Sequence, residues 1–195
     1  MRNSLVALLL TALAAVVPLS AAKASVLDQS DIAGMAGVSA DGSLAQTFTV
    51  GITGTLSSVE LKMDLFGNSA ECMIATTNAE GVPTNTILGE ASYPSGNDAF
   101  GGQWIPFNFS PGIPVHVGEL LAIEVPSAGI SWGADAGATY AGGAEYWYTF
   151  SEWGPGGSYD MNFQTFVIPA PEPSSLVLLV GGAAGLLLAA RRRKA

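Results

Sequence analysis

Basic residues, cysteine and histidine are all scarce in this 195-residue sequence. Seven Lys and Arg stand against sixteen Asp and Glu, for a formal net charge of −9, and there is one Cys and one His. Between Ser25 and Ala170 only Lys62 is basic, against fifteen acidic residues, so this segment carries a formal charge of −14. Such a body cannot bind phosphates by counterion release, which excludes nucleic-acid binding and disfavours anionic lipid surfaces.

The single His and the single Cys also limit the catalytic and metal chemistry that the chain can hold. They exclude the common zinc ligand sets, and they leave a Ser-His-Asp triad one candidate base. That residue, His116, follows a Pro-rich turn, and the Gly-x-Ser-x-Gly motif of many serine hydrolases is missing. We interpret His116 as structural, and Cys72, which has no intrachain partner, as a small buried hydrophobe.

The N-terminal residues 1–24 have the three parts of a secretory signal peptide. A basic residue at position 2 precedes an apolar run too short to span a membrane comfortably. Small residues at Ala22 and Ala24 then predict cleavage by signal peptidase before Ser25. The sequence therefore predicts export of everything that follows.

The C-terminal residues predict a short membrane anchor. A stiff Pro171-Glu172-Pro173 stretch leads into an uninterrupted apolar run, and residues 174–190 are just long enough to form one transmembrane helix. The positive-inside rule places the basic tail in the cytoplasm and the acidic body outside. The residues of that topology signal are Arg191, Arg192, Arg193 and Lys194.

These three C-terminal elements, in this order, closely resemble the PEP-CTERM sorting signal of Gram-negative bacteria, which is also catalogued as an ice-binding protein C-terminal domain. The resemblance covers residues 168–194 and implies processing by an exosortase, a membrane-embedded protease, near Pro171-Glu172-Pro173. It also implies a transient anchor in the inner membrane, followed by delivery to the cell surface or the extracellular matrix. Ice binding itself is not expected, because the Thr-x-Thr tripeptides are isolated rather than repeated.

The body at residues 25–167 is predicted to be an all-β, jelly-roll-like antiparallel sandwich, flanked by the signal peptide and by the anchor segment at 168–195. Short alternating runs separated by Gly, Pro, Asn and Asp indicate eight or nine strands. Pro106 predicts that its strand lies at an edge or a bulge, because proline cannot donate to a ladder. The predicted strands are 45–50, 59–65, 71–77, 87–92, 105–109, 120–125, 130–133, 144–150 and 161–167.

The body also resembles exported bacterial β-sandwich domains of the choice-of-anchor type. The resemblance rests on an Ala-Gln-Thr-Phe start at 45–48, a Gly-Val-Pro turn at 81–83 and a Gly- and aromatic-rich hairpin at 140–159. Such domains are similar in fold to carbohydrate-binding modules, but a shared fold does not transfer function.

The aromatic-rich region at 132–159 holds the candidate ligand-binding residues Trp147, Trp153 and Tyr159. Exposed aromatic faces stack on sugar rings, whereas the alternative is that these side chains belong to the core. Since neighbours in a strand face opposite ways, Trp147 cannot share a face with Tyr146 and Tyr148. We expect Trp153, in a Gly- and Pro-rich loop, to be the most exposed.

Two further kinds of site remain open in the sequence. Glu145, Glu152 and Asp160 could supply a pair of carboxylates for glycoside hydrolysis, although solvated charge is the simpler interpretation. We expect no cofactor apart from a structural calcium ion, which remains an alternative without assigned ligands. Loose candidates for it are Asp28, Asp31, Asn97, Asp98 and Asp135.

Together these patterns predict an exported, non-enzymatic surface or exopolysaccharide-associated protein. The expected partners are signal peptidase, an exosortase, the membrane through the C-terminal helix and, as an open alternative, a polysaccharide. A carbohydrate-binding module is the second interpretation, and a secreted glycoside hydrolase is the third.

Replacing Pro171-Glu172-Pro173 by three alanines tests the sorting hypothesis. We expect the chain to be exported but to remain unprocessed in the membrane, because the processing protease no longer recognises it. Immunoblotting of membrane, surface and medium fractions measures this outcome, with alanines at Ser174 and Ser175 as the control. Unchanged processing and location would refute the involvement of an exosortase.

Overall fold

Alternation of apolar and polar side chains sets the strands of the body. In the computed structural model of the chain, Val59, Leu61 and Met63 are fully buried, and the polar residues between them are partly exposed. The structure describes residues 24–34, 36–39, 42–95, 102–126 and 129–171. Within these ranges every regular secondary-structure element is a β-strand.

The strands in chain order are as follows: β1 (Val26–Asp31), β2 (Ala36–Val38), β3 (Ser43–Thr49), β4 (Gly54–Asp64), β5 (Ala70–Thr77), β6 (Pro83–Tyr93), β7 (Gln103–Val115), β8 (Leu120–Pro126), β9 (Ser131–Asp135), β10 (Glu145–Thr149), β11 (Glu152–Pro155), β12 (Asp160–Met161) and β13 (Phe163–Pro169).

These strands form two antiparallel sheets. The seven-stranded sheet runs β1-β13-β4-β9-β12, with β2 paired to β9 and β7 paired to β4. The six-stranded sheet runs β11-β10-β3-β8-β5-β6. Neighbours in both sheets are mostly distant in sequence, so each sheet is assembled by chain crossovers between the two layers.

One apolar core lies between the two sheets. Leu61, Phe107 and Phe163 contribute from the seven-stranded sheet, and Phe48 and Ile123 contribute from the six-stranded sheet, all of them at most 1% exposed. The fully buried Trp132 adds a polar anchor, because its Nε1 donates to the carbonyl oxygen of Asn162 at 2.9 Å. Because one face of each sheet packs on this core, apolar side chains alternate with polar ones along the strands.

The all-β antiparallel prediction is confirmed for the described residues. Pro106 lies in β7, which pairs with β4 alone among the described strands, so the predicted edge position is confirmed. The strand predicted at 161–167 is interrupted at Asn162, which separates β12 from β13. β1, which pairs with β13, was not predicted, because its sequence VLDQSD is only weakly apolar.

The sandwich continues to the start of the C-terminal segment. β13 ends at Pro169, opposite Gly54, and the Ala170 N–H then donates to the carbonyl oxygen of Thr53 at 3.0 Å. The ordered ladder therefore reaches to within one residue of Pro171.

Several predictions fall outside the described residues. They concern the signal peptide up to residue 23 with Ala22, the motif residues Glu172 and Pro173, the helix at 174–190, the tail 191–194, and the Asn97–Asp98 pair. In the part of the chain that the structure describes, no helix is long and apolar enough to cross a membrane.

Two phenylalanine-to-alanine substitutions should separate the core from the surface. Phe163 is fully buried, so Phe163→Ala should lower the free energy of unfolding by about 3–5 kcal/mol. Phe150 is fully exposed at a hairpin tip, so Phe150→Ala should change it by less than about 0.5 kcal/mol. Urea unfolding of the two variants measures the difference, and equal losses would contradict this assignment of the core.

Candidate functional site

The predicted aromatic residues lie in and beside the β10–β11 hairpin, on different faces. Trp147 packs against the core, and its Nε1 donates to Glu145 Oε1. Trp153 lies in β11, half-buried, rather than in a loop, and it meets its cross-strand partner Tyr148 on the opposite face. Tyr159, 36% exposed, lies in the loop that leads to β12. The structure therefore does not place Trp147 and Trp153 in one site.

The hairpin turn sets the Tyr148–Trp153 pair in register. Phe150 and Ser151 form the two-residue turn with φ angles of 53° and 69°, the left-handed conformation that suits the twist of a tight hairpin. The rings of Tyr148 and Trp153 consequently meet edge to face, with their centroids 5.2 Å apart and their planes at 62°. Both side chains are partly exposed, and the pair lies on the outer side of the sheet.

The carboxylates considered for hydrolysis hold loops together. Glu145 is buried and accepts hydrogen bonds from Trp147 Nε1 and from the Gly157 N–H, the latter at 2.8 Å. Burial raises its pKa, and these hydrogen bonds act in the opposite direction. Asp160, also buried, accepts from the Tyr140 N–H at 2.7 Å, while Glu152 is exposed at the hairpin end.

The acids considered for calcium accept hydrogen bonds from backbone N–H groups. Asp28 accepts from the Gly51 N–H at 3.1 Å, and Asp135 Oδ1 accepts from the Gly137 N–H at 3.0 Å, an interaction that lowers the pKa of Asp135. Asp31 accepts from the Ala33 N–H and is buried, which raises its pKa. Within the described ranges, no group of three or more His, Cys, Asp or Glu side chains is placed to hold a metal ion.

His116 and Cys72 have the surroundings that their neighbours in sequence indicate. His116 is exposed in the turn after β7, where its backbone N–H donates to Glu119 Oε2 at 3.1 Å. Cys72 is fully buried in the core, and this burial raises the pKa of its thiol, which keeps it protonated and unreactive.

The outer face of the six-stranded sheet carries a continuous row of side chains across all six strands. Cross-strand pairs join Pro155 to Tyr146, Tyr146 to Ala45, Ala45 to Glu124, Glu124 to Met73, and Met73 to Glu90. Directly opposed residues share a face, so these six side chains lie side by side. We call them the Glu124 row.

One end of this face is closed and the other is open. The Tyr146 hydroxyl lies close to Gly81, 3.9 Å from the position that a Cβ atom would occupy there. The turn between β5 and β6 therefore folds over the small residues beside the row. Ala75 and Ala122, which are among those small residues, are fully buried there. Beyond them an open cleft of about 260 Å³ is lined by Glu71, Met73, Glu90, Ala91 and Ser92.

Glu124 is a buried carboxylic acid with an oxygen that accepts no hydrogen bond. Its side chain is 6% exposed, and its Oε1 has no hydrogen-bond partner. Burial raises the pKa of Glu124 to about 7, because ionisation in the protein interior is disfavoured without compensating donors. Sequence reasoning missed this residue, although one acid within the apolar run Leu120–Pro126 is the signal that could have revealed it.

Residues 169–194 match the PEP-CTERM protein-sorting motif. The chain carries a PEP-CTERM motif. This motif implies an exported protein that an exosortase, a membrane protease, sorts through a C-terminal membrane-anchoring signal. No curated protein matches the chain.

Solved structures resemble the body of this protein in fold. One is the clostridial cysteine protease Cwp84 after propeptide cleavage, with 15% identity and a TM-score of 0.57 over 75% of this chain and 40% of that chain. Another holds the cysteine protease and lectin-like domains of Cwp84, a surface layer associated protein of Clostridium difficile. Its identity is 14% and its TM-score 0.56, over 75% of this chain and 36% of that chain. The chain thus spans less than half of either structure, and the likeness is one of fold alone.

The buried Glu124 should make the body less stable as the pH rises. A carboxyl whose pKa is raised in the folded state stabilises the fold at low pH, and this contribution is lost as the pH rises from about 4.5 through about 7. We therefore expect the melting temperature to fall over this range and to fall less for Glu124→Gln. Glu71→Gln removes a charge at an exposed position of the same face and serves as the control. If the melting temperatures of the wild type and Glu124→Gln changed with pH in parallel, the assignment of a raised pKa to Glu124 would be contradicted.

Proposed function

We propose that this PEP-CTERM protein is a non-catalytic surface or exopolysaccharide-associated protein of a Gram-negative bacterium. The motif at 169–194 carries the proposal, because it implies export and sorting. In this scheme signal peptidase cleaves before Ser25, the C-terminal helix anchors the chain in the inner membrane, and exosortase then releases a jelly-roll-like body to the surface or matrix.

The non-catalytic assignment is supported by how the body uses its reactive groups. Glu145 and Asp160 are committed to backbone and indole donors, and Cys72 is buried in the core. Glycoside hydrolysis needs two carboxyl groups free to act as acid and as base or nucleophile, and the buried pair considered for it, Glu145 and Asp160, is engaged in these hydrogen bonds. The secreted hydrolase stays the weakest of the three candidates on this ground.

Carbohydrate binding is the second candidate, and the outer face of the six-stranded sheet favours it. The Tyr148–Trp153 pair offers an aromatic surface for sugar rings, and the Glu124 row next to it offers carboxyl acceptors for hydroxyl groups. A protein of similar fold includes a lectin-like domain, which adds support. Trp147 is not part of this version of the site because it faces the core.

A binding screen with a matched tryptophan control tests the carbohydrate candidate. We expect Trp153→Ala to weaken binding to matrix polysaccharide about tenfold or more, since the stacking surface is lost. Trp104→Ala removes a half-buried indole from β7 in the other sheet and should leave the affinity unchanged. Affinity electrophoresis with and without calcium measures both variants. Absence of binding to any matrix polysaccharide would leave the structural role alone.

A further inference from the structure

We propose that the Glu124 row binds an amine-bearing polysaccharide, in which a ligand ammonium group donates hydrogen bonds to Glu124 while neighbouring sugar rings contact Tyr148 and Trp153. This inference rests on the carbohydrate-binding candidate above and specifies its ligand. It depends on the row geometry, the unpartnered carboxyl and the charge of the face.

The geometry brings three carboxyl groups to one side of the sheet. Glu124 and Glu90 flank Met73 in the row, so two strand spacings, about 10 Å, separate their backbones. Glu71 precedes Met73 by two residues in β5 and therefore shares its face. Glu71 and Glu90 are exposed and line the cleft, whereas Glu124 is buried beside Met73, which also lines it.

The unpartnered carboxyl group of Glu124 can accept hydrogen bonds from a ligand. Its Oε1 is shielded from solvent and has no partner, which is costly for an acid in the interior of a sheet face. Most other buried polar side chains of the described residues have hydrogen bonds; Asp31 Oδ2 is the one other buried oxygen without a partner. A ligand ammonium would provide several donors and would stabilise the ionised form, since charge-assisted hydrogen bonds are the stronger kind.

The charge of the surroundings decides between classes of polysaccharide. Lys62, the one lysine or arginine of the described residues, lies in the other sheet and donates to the Gly34 carbonyl oxygen at 3.2 Å. Uronic acids and sulfated sugars would therefore meet acids without a cation to pair with. Because Met73 separates Glu124 from Glu90, the row also suits an extended ligand with spaced amines better than one small ion.

The test compares two short sugars that differ only at the nitrogen on C2, which is a free amine in one and an N-acetyl group in the other. Hexamers of glucosamine and of N-acetylglucosamine are titrated calorimetrically against the full-length chain in detergent. We expect the free-amine hexamer to bind about tenfold more tightly and salt to weaken it, since an ion pair contributes. Equal affinities, or tighter binding of the acetylated hexamer, would overturn the proposal.

Variants locate the preference on the Glu124 row. Glu124→Gln and Glu90→Gln should each reduce the ratio of the free-amine hexamer affinity to the N-acetylated hexamer affinity at least about threefold. Because Glu90 is exposed, its replacement leaves folding intact. Glu80→Gln removes the same charge from the exposed β5–β6 turn and should preserve the ratio. Equal reductions in all three variants would show general attraction to an acidic body and would also overturn the proposal.

The outcomes separate this inference from the function on which it rests. If both hexamers bind equally and Trp153→Ala abolishes binding, the carbohydrate-binding candidate stands and the amine preference is wrong. If neither hexamer nor any matrix polysaccharide binds, both are wrong.

Discussion

The body of this protein must satisfy many carboxylates with almost no cations. Fifteen acidic residues share the segment 25–170 with one lysine, so the structure pairs acids with backbone N–H groups instead. Asp64 accepts from Gly102, Asp28 from Gly51 and Asp160 from Tyr140. Each of these bonds joins segments distant in sequence, so the carboxylates hold loops onto the sandwich as salt bridges do in other proteins.

Two buried carboxyl oxygens accept no such hydrogen bond. Asp31 Oδ2 and Glu124 Oε1 have no partner among the described residues, and burial raises the pKa of both groups. Asp31 has another oxygen bound to a backbone N–H, at the end of a strand. Glu124 lies in the middle of a central strand and faces outward, which makes it the polar group that the fold itself explains least.

Much of the fold could be predicted from local pattern, because a half-buried strand repeats its apolar side chains every second residue. The strand around Leu61 and the edge position of Pro106 followed from that rule and from the missing N–H of proline. β1 and the break at Asn162 did not follow. Both depend on pairing with remote strands, and the local sequence carries little sign of such pairing.

The candidate site was harder to predict for the same reason. Alternation alone separates Trp147 from Tyr148, but it does not say which of them faces the core. Trp153 was expected in a loop because Gly154 and Pro155 follow it, yet pairing with β10 makes this segment a strand. The Glu124 row joins residues of six strands between positions 45 and 155, so no local motif could indicate it.

By itself, the sequence determined the sorting motif of this protein and the all-β class of its body. Signal and sorting segments are read as linear strings by proteases and membranes, so composition and order are enough to define them. The tertiary structure alone decided which aromatic side chains face outward and which acid is left without a partner. Those properties arise from strand register, which brings residues a hundred positions apart to within one strand spacing.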